Sequence, residues 1–469
     1  MSEANEKTRP NILFFFTDDQ RFDTIRALGH EQVYTPNMDT LVREGTTFTH
    51  AHIMGGTSGA VCMPSRAMLM TGRTLFHLYR QGQSIPQKHV MLGELLRTEG
   101  YETFGTGKWH NGSDAYARSF TDGAEIFFGG MEDHWNVPAC DFDPNGEYDV
   151  YNPAVRNPFY SNETVQRQCD HITPGKHSSE LFCDAGIDFL RRHEGETPFF
   201  MYLSFMAPHD PRTMPRKYLE MYDPEEIELP ENFEPRHPFD NGELCVRDEL
   251  LAPSPRSPEE IRRHIAEYYA MISHLDAEVG RVLEALEETG HAEETIIIFA
   301  GDNGLALGQH GLMGKQNLYD HSLRVPLIMS GPGIPRDKCS DAHCYLLDIY
   351  PTLCELLDVA VPDSVEGQSL VPAMCEESRL RETMFFAYKE YQRCVRDERY
   401  KLIEYVVEGE RTTQLFDIHE DPWELHNLAQ DPAHSEHLKR LRQALFQWRD
   451  ALDDEEDSMG ERFWKGYRE

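Results

Sequence analysis

A cysteine stands just ahead of a helix-like run in the stretch VCMPSRAMLMTGR, residues 61–73. Pro64 and the good helix formers after it predict that Cys62 lies at a helix N-terminus, where negative charge is favoured. A cysteine is most often a buried, inert thiol, and the next interpretation is a nucleophilic thiolate whose pKa the helix N-terminus lowers. A plain thiol leaves the acidic pairs elsewhere in the chain unexplained.

Two pairs of oxygen-bearing side chains follow apolar segments of strand length. Asp18 and Asp19 come directly after NILFFFT, and Asp302 and Asn303 follow TIIIFAG. Each pair alone is typical of an ordinary turn. Because both pairs occupy equivalent strand ends, they predict one site for a hard divalent cation, Ca²⁺ or Mg²⁺ rather than zinc.

Basic side chains and histidines occur near the same predicted edge. GKWH supplies Lys108 and His110, APHDP supplies His209, and MGKQ supplies Lys315. With Arg66 they predict a cationic pocket suited to a compact oxyanion. The alternative for each residue is ordinary, since lysines are usually exposed and a histidine before Asp-Pro can cap a turn.

Buried strands that alternate with helices must position these residues. PFFMYLSF is a third strand of continuous apolar character, typical of a sheet covered on both faces. Ser257 as N-cap, Pro258 at the first helical position and Gly290 as the stop predict one long helix. Shorter helices are predicted at residues 36–44, 91–99, 177–192 and 345–357. The fold class is therefore α/β, with a large, mostly parallel sheet between helices and ligands at the strands' carboxyl ends.

The pattern of predicted strands and helices changes near residue 365. Residues 1–365 are predicted to form the main catalytic α/β domain. Residues 366–469 are predicted to form a smaller α+β subdomain with an antiparallel sheet, a terminal helix and an acidic tail. The aromatic and Gly/Pro-rich residues 123–174 predict a long ordered insertion, and the acidic run 453–457 predicts solvated surface.

Composition excludes several classes of partner. The chain has 81 acidic and 45 basic residues, a formal charge of −36, which argues against nucleic acid. No apolar run approaches the roughly 20 residues of a membrane span. The start MSEANEKTRPN has no signal-like apolar region, and ten scattered cysteines suit a reducing setting. We expect a cytoplasmic protein, or a periplasmic or secreted one if the N-terminus was trimmed.

Taken together, these motifs resemble the type I, formylglycine-dependent sulfatases of the alkaline phosphatase superfamily. Their signature is Cys-x-Pro-Ser-Arg, a short run and then Thr-Gly-Arg. The motifs TDDQ, GKWH, APHDP, GDNG and GKQNLYDHSLRVPLI also resemble the family, over about residues 9–358. In this chain the signature stands as Cys62, Pro64, Ser65, Arg66, Thr71, Gly72 and Arg73.

The resemblance implies a modified nucleophile. A maturation enzyme would oxidise Cys62 to formylglycine, whose hydrated aldehyde attacks sulfur and then releases sulfate as the aldehyde re-forms. It also implies a Ca²⁺ site, with Mg²⁺ as the alternative ion. The metal ligands implied are Asp18, Asp19, Asp302, Asn303 and the group derived from Cys62.

The resemblance assigns a role to each remaining residue. Arg66 stabilises the nucleophile, and Lys108 and Lys315 neutralise charge on the sulfuryl oxygens. His209, with Lys315, protonates the leaving alcohol, and His110 accepts the nucleophile's second proton. Asp302 is the candidate base for attack.

The implied substrate is a small-molecule or oligosaccharide sulfate ester, with no nucleic acid and no membrane involved. A sugar ring could contact His134, Trp135 and Asp143, and the residues expected to flank the centre are Asp210, Arg212 and His310. One alternative is a phosphonate monoester or phosphodiester hydrolase of the same superfamily. The other is a non-catalytic binding protein in which Cys62 remains unmodified.

Overall fold

The computed structural model describes residues 9–155, 162–195, 197–376 and 378–468. Its strands are β1 Asn11–Thr17, β2 Gly45–Phe48, β3 Ala51–His52, β4 Gly55–Gly56, β5 Glu102–Trp109, β6 Asp122–Phe128, β7 Pro138–Ala139, β8 Tyr151–Val155, β9 Thr164–Gln168, β10 His171–Ile172, β11 Phe199–Ser204, β12 Thr295–Gly301, β13 Leu327–Ser330, β14 Lys338–Ser340, β15 Cys344–Tyr345, β16 Met384–Tyr388, β17 Gln392–Arg396, β18 Tyr400–Val407 and β19 Glu410–Asp417.

The α-helices are α1 Pro36–Glu44, α2 Cys62–Thr71, α3 Leu92–Thr98, α4 Ser113–Ser119, α5 Ser178–Arg192, α6 Arg216–Leu219, α7 Pro258–Glu288, α8 Asp320–Leu323, α9 Ile349–Leu356, α10 Val371–Cys375, α11 Ser435–Ala451 and α12 Ser458–Arg468. Short 3₁₀ turns join several of them.

The centre of the molecule is an eight-stranded mixed sheet in the order β14-β2-β13-β12-β1-β11-β5-β6. β1 runs parallel to both neighbours, pairing Phe14 with Tyr202 of β11 and with Ile298 of β12. β13 is antiparallel to β12 and to β2. All seven residues of β1 are buried, as its continuous apolar run predicts. The predicted mixed, mostly parallel α/β fold is confirmed.

Alternating side chains of β1 build two cores, one on each face of the sheet. Phe14 and Phe16 pack with residues of α2, α3 and α9. Leu13 and Phe15 pack with residues of α1, α5 and α7 on the other face. The period-2 alternation of a strand therefore explains why helices cover both faces.

The long helix α7 begins and ends as its sequence predicts. Ser257 Oγ accepts a hydrogen bond from the Glu260 backbone N–H at 3.2 Å, and Pro258 is the first helical residue. Gly290, with φ of 80°, follows the last turn. The Ser257 cap and Pro258 therefore define the start of the helix, and the left-handed Gly290 follows its end.

Two predicted segments differ from the structure. Residues 345–357 begin with a 3₁₀ turn, Leu346–Asp348, in which Asp348 Oδ2 accepts the Tyr345 N–H at 2.8 Å, and only α9, from Ile349, is α-helical. The predicted insertion begins inside the main sheet, since β6 is its edge strand, paired parallel with β5. Residues 156–161 of that insertion lie outside the described residues.

The predicted C-terminal antiparallel sheet is confirmed as β16 to β19, and β4 adds a fifth strand. β4 runs parallel to β16, pairing Gly55 with Ala387. A Cβ on Gly55 would lie 2.1 Å from the Ala387 carbonyl oxygen, and its φ is 90°, so only glycine fits there. The segment just before Cys62 is thus fixed by the C-terminal sheet.

The acidic run 453–457 is not simply a solvated tail. Asp454 is fully buried and receives Arg393 Nε at 2.7 Å, Arg393 Nη2 at 2.8 Å and the Trp464 indole N–H at 2.8 Å. Helix α12 follows it. A paired carboxylate can be buried where a lone one cannot, which composition alone does not reveal.

Within the described residues, no helix is long and apolar enough to cross a membrane. Each of the ten cysteines has a free thiol, and seven including Cys62 are not exposed.

Candidate active site

Helix α2 carries Cys62 as its first residue, at the carboxyl-end edge of the main sheet. Cys62 is only 2% exposed. Ser65 Oγ donates a hydrogen bond to the Asp302 carbonyl at 2.6 Å, which ties this helix to the end of β12. Gly72, in the left-handed region, closes the helix. The predicted helix start at Cys62 therefore agrees with the structure.

The two oxygen-bearing pairs meet at neighbouring strand ends. β1 and β12 are parallel, with Thr17 beside Gly301, so the residues after both strands share one edge. The backbone N–H of Asp19 donates to Asp302 Oδ1 at 3.1 Å. Asn303 Nδ2 donates to Asp19 Oδ1 at 2.6 Å. The sheet register thus brings together the side chains that the sequence pairs predict.

Each of the three carboxylates at this edge has a cationic partner. Lys108 donates to Asp18, and its Nζ lies 3.5 Å from Cys62 Sγ. Lys315 Nζ donates to Asp19 Oδ1 at 2.6 Å. The third pair joins Arg66 Nε to Asp302 Oδ2 at 2.8 Å.

Donor atoms in this cluster fit a hard divalent cation. Asp18 Oδ1 and Asn303 Oδ1 are buried and have no hydrogen-bond partner within the described residues. One ligand atom each from Asp18, Cys62 and Asp302 lie within 4.8 Å of one another. Unshared carboxylate and amide oxygens are the ligands that Ca²⁺ and Mg²⁺ prefer.

The pKa values of the Asp18 and Asp302 carboxyl groups shift in opposite directions. Burial opposes ionisation of Asp18, but Lys108, His209 and Arg66 hold its pKa far below the usual value. Burial and the charge of Asp18 raise the pKa of Asp302 to about 6, against the pull of Arg66. Asp18 is therefore held in its ionised form, whereas burial next to Asp18 makes Asp302 harder to ionise.

The thiol of Cys62 is held in its neutral form. Burial raises its pKa despite the nearby Lys108. His110 Nδ1 lies 3.4 Å from Cys62 Sγ, and burial together with Lys108 lowers the pKa of His110 well below its ordinary value. A neutral imidazole beside a neutral thiol does not support the activated-thiolate interpretation of Cys62.

His209 follows β11 and faces the acidic pair. Its Nε2 lies 3.6 Å from Asp19 Oδ2, and its Nδ1 lies 2.7 Å from the Asp210 carbonyl oxygen. His134 Nε2 lies 3.0 Å from the His209 carbonyl oxygen, while His134 Nδ1 bonds Ser178 Oγ at 2.7 Å. Because His134 is fully buried, it supports the His209 loop and cannot stack on a sugar.

The other residues considered for sugar contact have protein partners. Trp135 packs edge-on against His177, and Asp143 accepts the Asn145 backbone N–H at 2.8 Å within a turn. Arg212 Nη1 contacts His264 Nδ1 at 2.7 Å. The His310 ring stacks on Tyr319 with centroids 4.0 Å apart. These contacts give Trp135, Asp143 and His310 structural roles, whereas Arg212 Nε and Nη2 are buried without a hydrogen-bond partner among the described residues.

Two residues near the site escape sequence reasoning. Ser204, the last residue of β11, accepts from Arg66 Nη1 at 2.5 Å and donates to the Lys108 carbonyl at 2.6 Å. Its position at a strand end is a signal that could have identified it. Both Nη atoms of Arg247 donate hydrogen bonds to the Asp210 carboxylate, with Nη1 at 2.8 Å from Oδ1. No motif surrounds Arg247, so nothing in the sequence indicates this pair.

Comparisons with known proteins give consistent results. A family model described as Sulfatase matches residues 10–359, and one described as N-sulphoglucosamine sulphohydrolase, C-terminal, matches residues 308–451. An arylsulfatase of Clostridium perfringens is 28% identical, over 98% of this chain and 98% of that protein.

Solved structures share the fold. One, a complex with its substrate D-glucosamine-2-N,6-O-disulfate, has a TM-score of 0.74 and 24% identity, covering 97% of this chain and all of that one. The phosphonate monoester hydrolase of Agrobacterium radiobacter has a TM-score of 0.73 and 23% identity, covering 95% of this chain and 96% of that one.

Proposed function

The chain belongs to the sulfatase family, and from this premise we propose that it hydrolyses a sulfate ester with a nucleophile derived from Cys62. One observation carries the proposal. Cys62 Sγ lies 3.5 Å from Lys108 Nζ and 3.4 Å from His110 Nδ1, beside the carboxylates of Asp18 and Asp302. A cation, a proton acceptor and metal-type ligands thus surround one reactive position.

Two groups would complete this site. A formylglycine at position 62, made by a maturation enzyme, would supply a hydroxyl nucleophile that can leave again as an aldehyde. A Ca²⁺ ion, or Mg²⁺, would supply Lewis-acid stabilisation of negative oxygen. The residues that would hold the ion are Asp18, Asp19, Asp302, Asn303 and the group at position 62.

The basic residues would bind and orient the sulfuryl group. Lys108 and Lys315 are buried on the same carboxylate cluster, so a sulfate monoester that enters it meets two fixed ammonium groups. Arg66 is held by Asp302 and Ser204 and stabilises an oxyanion at position 62. Such preorganised charge is worth most in a site that excludes water.

The two histidines would transfer different protons in the reaction. His110 remains neutral because burial lowers its pKa, so it can accept a proton from a hydroxyl at position 62. His209 would donate a proton to the leaving oxygen, with its ring oriented by the contact between its Nδ1 and the Asp210 carbonyl oxygen. A general acid and a general base each contribute about 10²–10⁴ in rate.

We further propose a carbohydrate sulfate as the substrate class, supported by the sulfated sugar bound in the structural neighbour described above. The second candidate is phosphonate monoester or phosphodiester hydrolysis. The structural similarity to the Agrobacterium enzyme over nearly the whole chain supports this second candidate. The substrates of both candidate reactions contain an anionic tetrahedral group, which the same cationic residues would bind.

A side-by-side assay distinguishes the two. We expect kcat/KM for an aryl sulfate to exceed that for the matching aryl phosphodiester and phenylphosphonate ester, and the Cys62→Ala variant to be inactive on all three. Faster phosphodiester or phosphonate hydrolysis would overturn the choice of sulfate. A screen of sulfated mono- and disaccharides then tests the substrate class, and failure on every sugar sulfate with turnover of aryl sulfate would refute it.

A further inference from the structure

A second cluster of metal-type ligands joins two helices on one face of the main sheet. Glu180 lies in the first turn of α5, and His274 and Glu278 lie on α7. Residues four apart on a helix project from the same face. The packing of α5 against α7 therefore brings one imidazole and two carboxylates together, outside the site that contains Cys62.

The spacing of these atoms suits a shared ion better than hydrogen bonds. His274 Nε2 lies 3.6 Å from Glu180 Oε1 and 3.9 Å from Glu278 Oε1. The three ligand atoms all lie within 4.8 Å of one another. Both contacts are too long for hydrogen bonds. Metal bonds of about 2.0–2.2 Å place neighbouring ligand atoms roughly 3–4 Å apart, which is close to these distances.

The imidazole of His274 is buried without a hydrogen bond to any of the described residues. His274 is 1% exposed, and neither ring nitrogen has a hydrogen-bond partner within the described parts of the chain. Buried polar groups in folded proteins are nearly always satisfied. The ring contacts around it, with His177 and Tyr218, offer no acceptor or donor at hydrogen-bonding distance. A ligand at Nε2 would satisfy a buried nitrogen that the protein leaves unpaired.

The carboxylate of Glu278 is already oriented for such a ligand. Arg281 Nη1 donates to Glu278 Oε2 at 2.5 Å, which leaves Oε1 facing His274. Arg281 is itself held by Asp184 on α5 at 2.5 Å. An outer partner that fixes a liganding carboxylate is typical of protein metal sites. Glu180 is one-third exposed, so its side of the cluster is open to water.

We propose that Glu180, His274 and Glu278 bind a zinc ion that crosslinks α5 and α7. One imidazole and two carboxylates, with water at the exposed side, form a ligand set that Zn²⁺ accepts. Ca²⁺ takes six to eight oxygen ligands and is less suited to a site with an imidazole. Because α5 also holds His134 through Ser178, the ion would stiffen the helix that supports the His209 loop.

Zinc stoichiometry in excess Ca²⁺ tests the proposal, since Ca²⁺ keeps the other carboxylate cluster filled. Wild type, Glu180→Gln and Glu278→Gln are dialysed against Zn²⁺, and bound zinc is counted by elemental mass spectrometry. We expect wild type to retain one zinc more than either variant and to gain in Tm with Zn²⁺, whereas the variants gain nothing. Glu180→Gln changes a partly exposed side chain, so it should fold normally.

Glu284→Gln is the matched control, because it removes the same charge from an exposed position of α7 outside the cluster. It should bind zinc as wild type does. The exposed cysteines Cys245, Cys339 and Cys375 are present in every variant, so any zinc they bind cancels in the difference. Equal zinc content and equal Tm gain in wild type and Glu180→Gln would overturn the proposal.

Discussion

Arg66 Nε donates to Asp302 Oδ2 at 2.8 Å, and this buried pair joins the helix that begins at Cys62 to the end of strand β12. Arg66 is 1% exposed and Asp302 is fully buried. The contact sets the distance between the reactive position and the carboxylates that would hold a metal ion.

Replacing Arg66 by lysine should remove most of the activity. One ammonium group cannot reproduce the guanidinium contacts to both Asp302 and Ser204. We expect kcat on an aryl sulfate to fall by about 10²-fold or more. Arg393→Lys, at a buried arginine paired with Asp454 in the C-terminal sheet, is the control and should lower Tm while the folded protein keeps its kcat. Wild-type kcat in Arg66→Lys would contradict the role of Arg66.

Removing calcium should abolish turnover and lower Tm. Without a cation, the site has fewer charges with which to stabilise negative oxygen. Adding Ca²⁺ back should restore activity and raise Tm progressively with concentration, as binding to the folded state requires. Asp19→Asn should need more Ca²⁺ for the same effect. A chelated enzyme that keeps full activity and an unchanged Tm would rule out the ion.

Replacing His209 by alanine should affect poor leaving groups most. An alkyl sulfate needs a proton on the departing oxygen, so its hydrolysis should slow by about 10²–10⁴-fold. An aryl sulfate with an acidic phenol leaves without that proton and should lose much less. His310→Gln, at a buried histidine stacked on Tyr319, is the control and should leave both rates unchanged. Equal losses on both substrates would argue against a general acid at position 209.

The contact between His77 and Glu366 should stabilise the fold most in mildly acidic solution. His77 Nδ1 lies 2.6 Å from Glu366 Oε1. This hydrogen bond raises the pKa of His77 above 6.5, so its contribution is complete below that pH and is lost as pH rises through the folded-state value. The same contact, together with the hydrogen bonds from Thr74, overcomes burial and lowers the pKa of Glu366 to about 2, from an ordinary 4.5. The Glu366 contribution is therefore lost as pH falls from about 4.5 towards 2.

Chemical unfolding of His77→Gln tests this window. We expect a loss of roughly 0.5–1 kcal/mol in unfolding free energy near pH 5.5 that becomes smaller as pH rises towards 9, because the charged part of the contact is lost as His77 deprotonates. Glu366→Gln should show the same trend with a larger loss, because Glu366 also pairs with Arg73 and accepts hydrogen bonds from Thr74. A loss that stays constant between these pH values would show that the ion pair does not titrate.

Much of the fold follows from local sequence pattern. The apolar run of β1 identifies a strand buried on both faces, and Ser257 with Pro258 identifies the start of α7. These features depend on neighbouring residues only. The pairing of Gly55 with Ala387 does not, because it joins residues 332 positions apart by backbone contacts that carry no motif. Segments such as β4 become strands only through the partner that they meet.

The residues of the site also divide into those that local sequence predicts and those that it does not. The strand-end pairs at Asp18 and Asp302 are predictable because parallel strands share a carboxyl-end edge. The role of His134 is not, since its bond to the His209 carbonyl depends on how a distant loop folds back. The burial of Asp454 likewise depends on Arg393, a partner 61 residues away. Long-range pairing of polar groups is what the sequence pattern leaves undetermined.

The most direct test of the account is the chemical state of residue 62 in active protein. Preparations with different degrees of maturation are digested, and the peptide that contains position 62 is weighed by mass spectrometry, in parallel with aryl sulfate turnover. We predict an aldehyde at that position and a specific activity proportional to the aldehyde fraction, extrapolating to zero for pure thiol. Full activity in protein that carries only the Cys62 thiol would contradict the account.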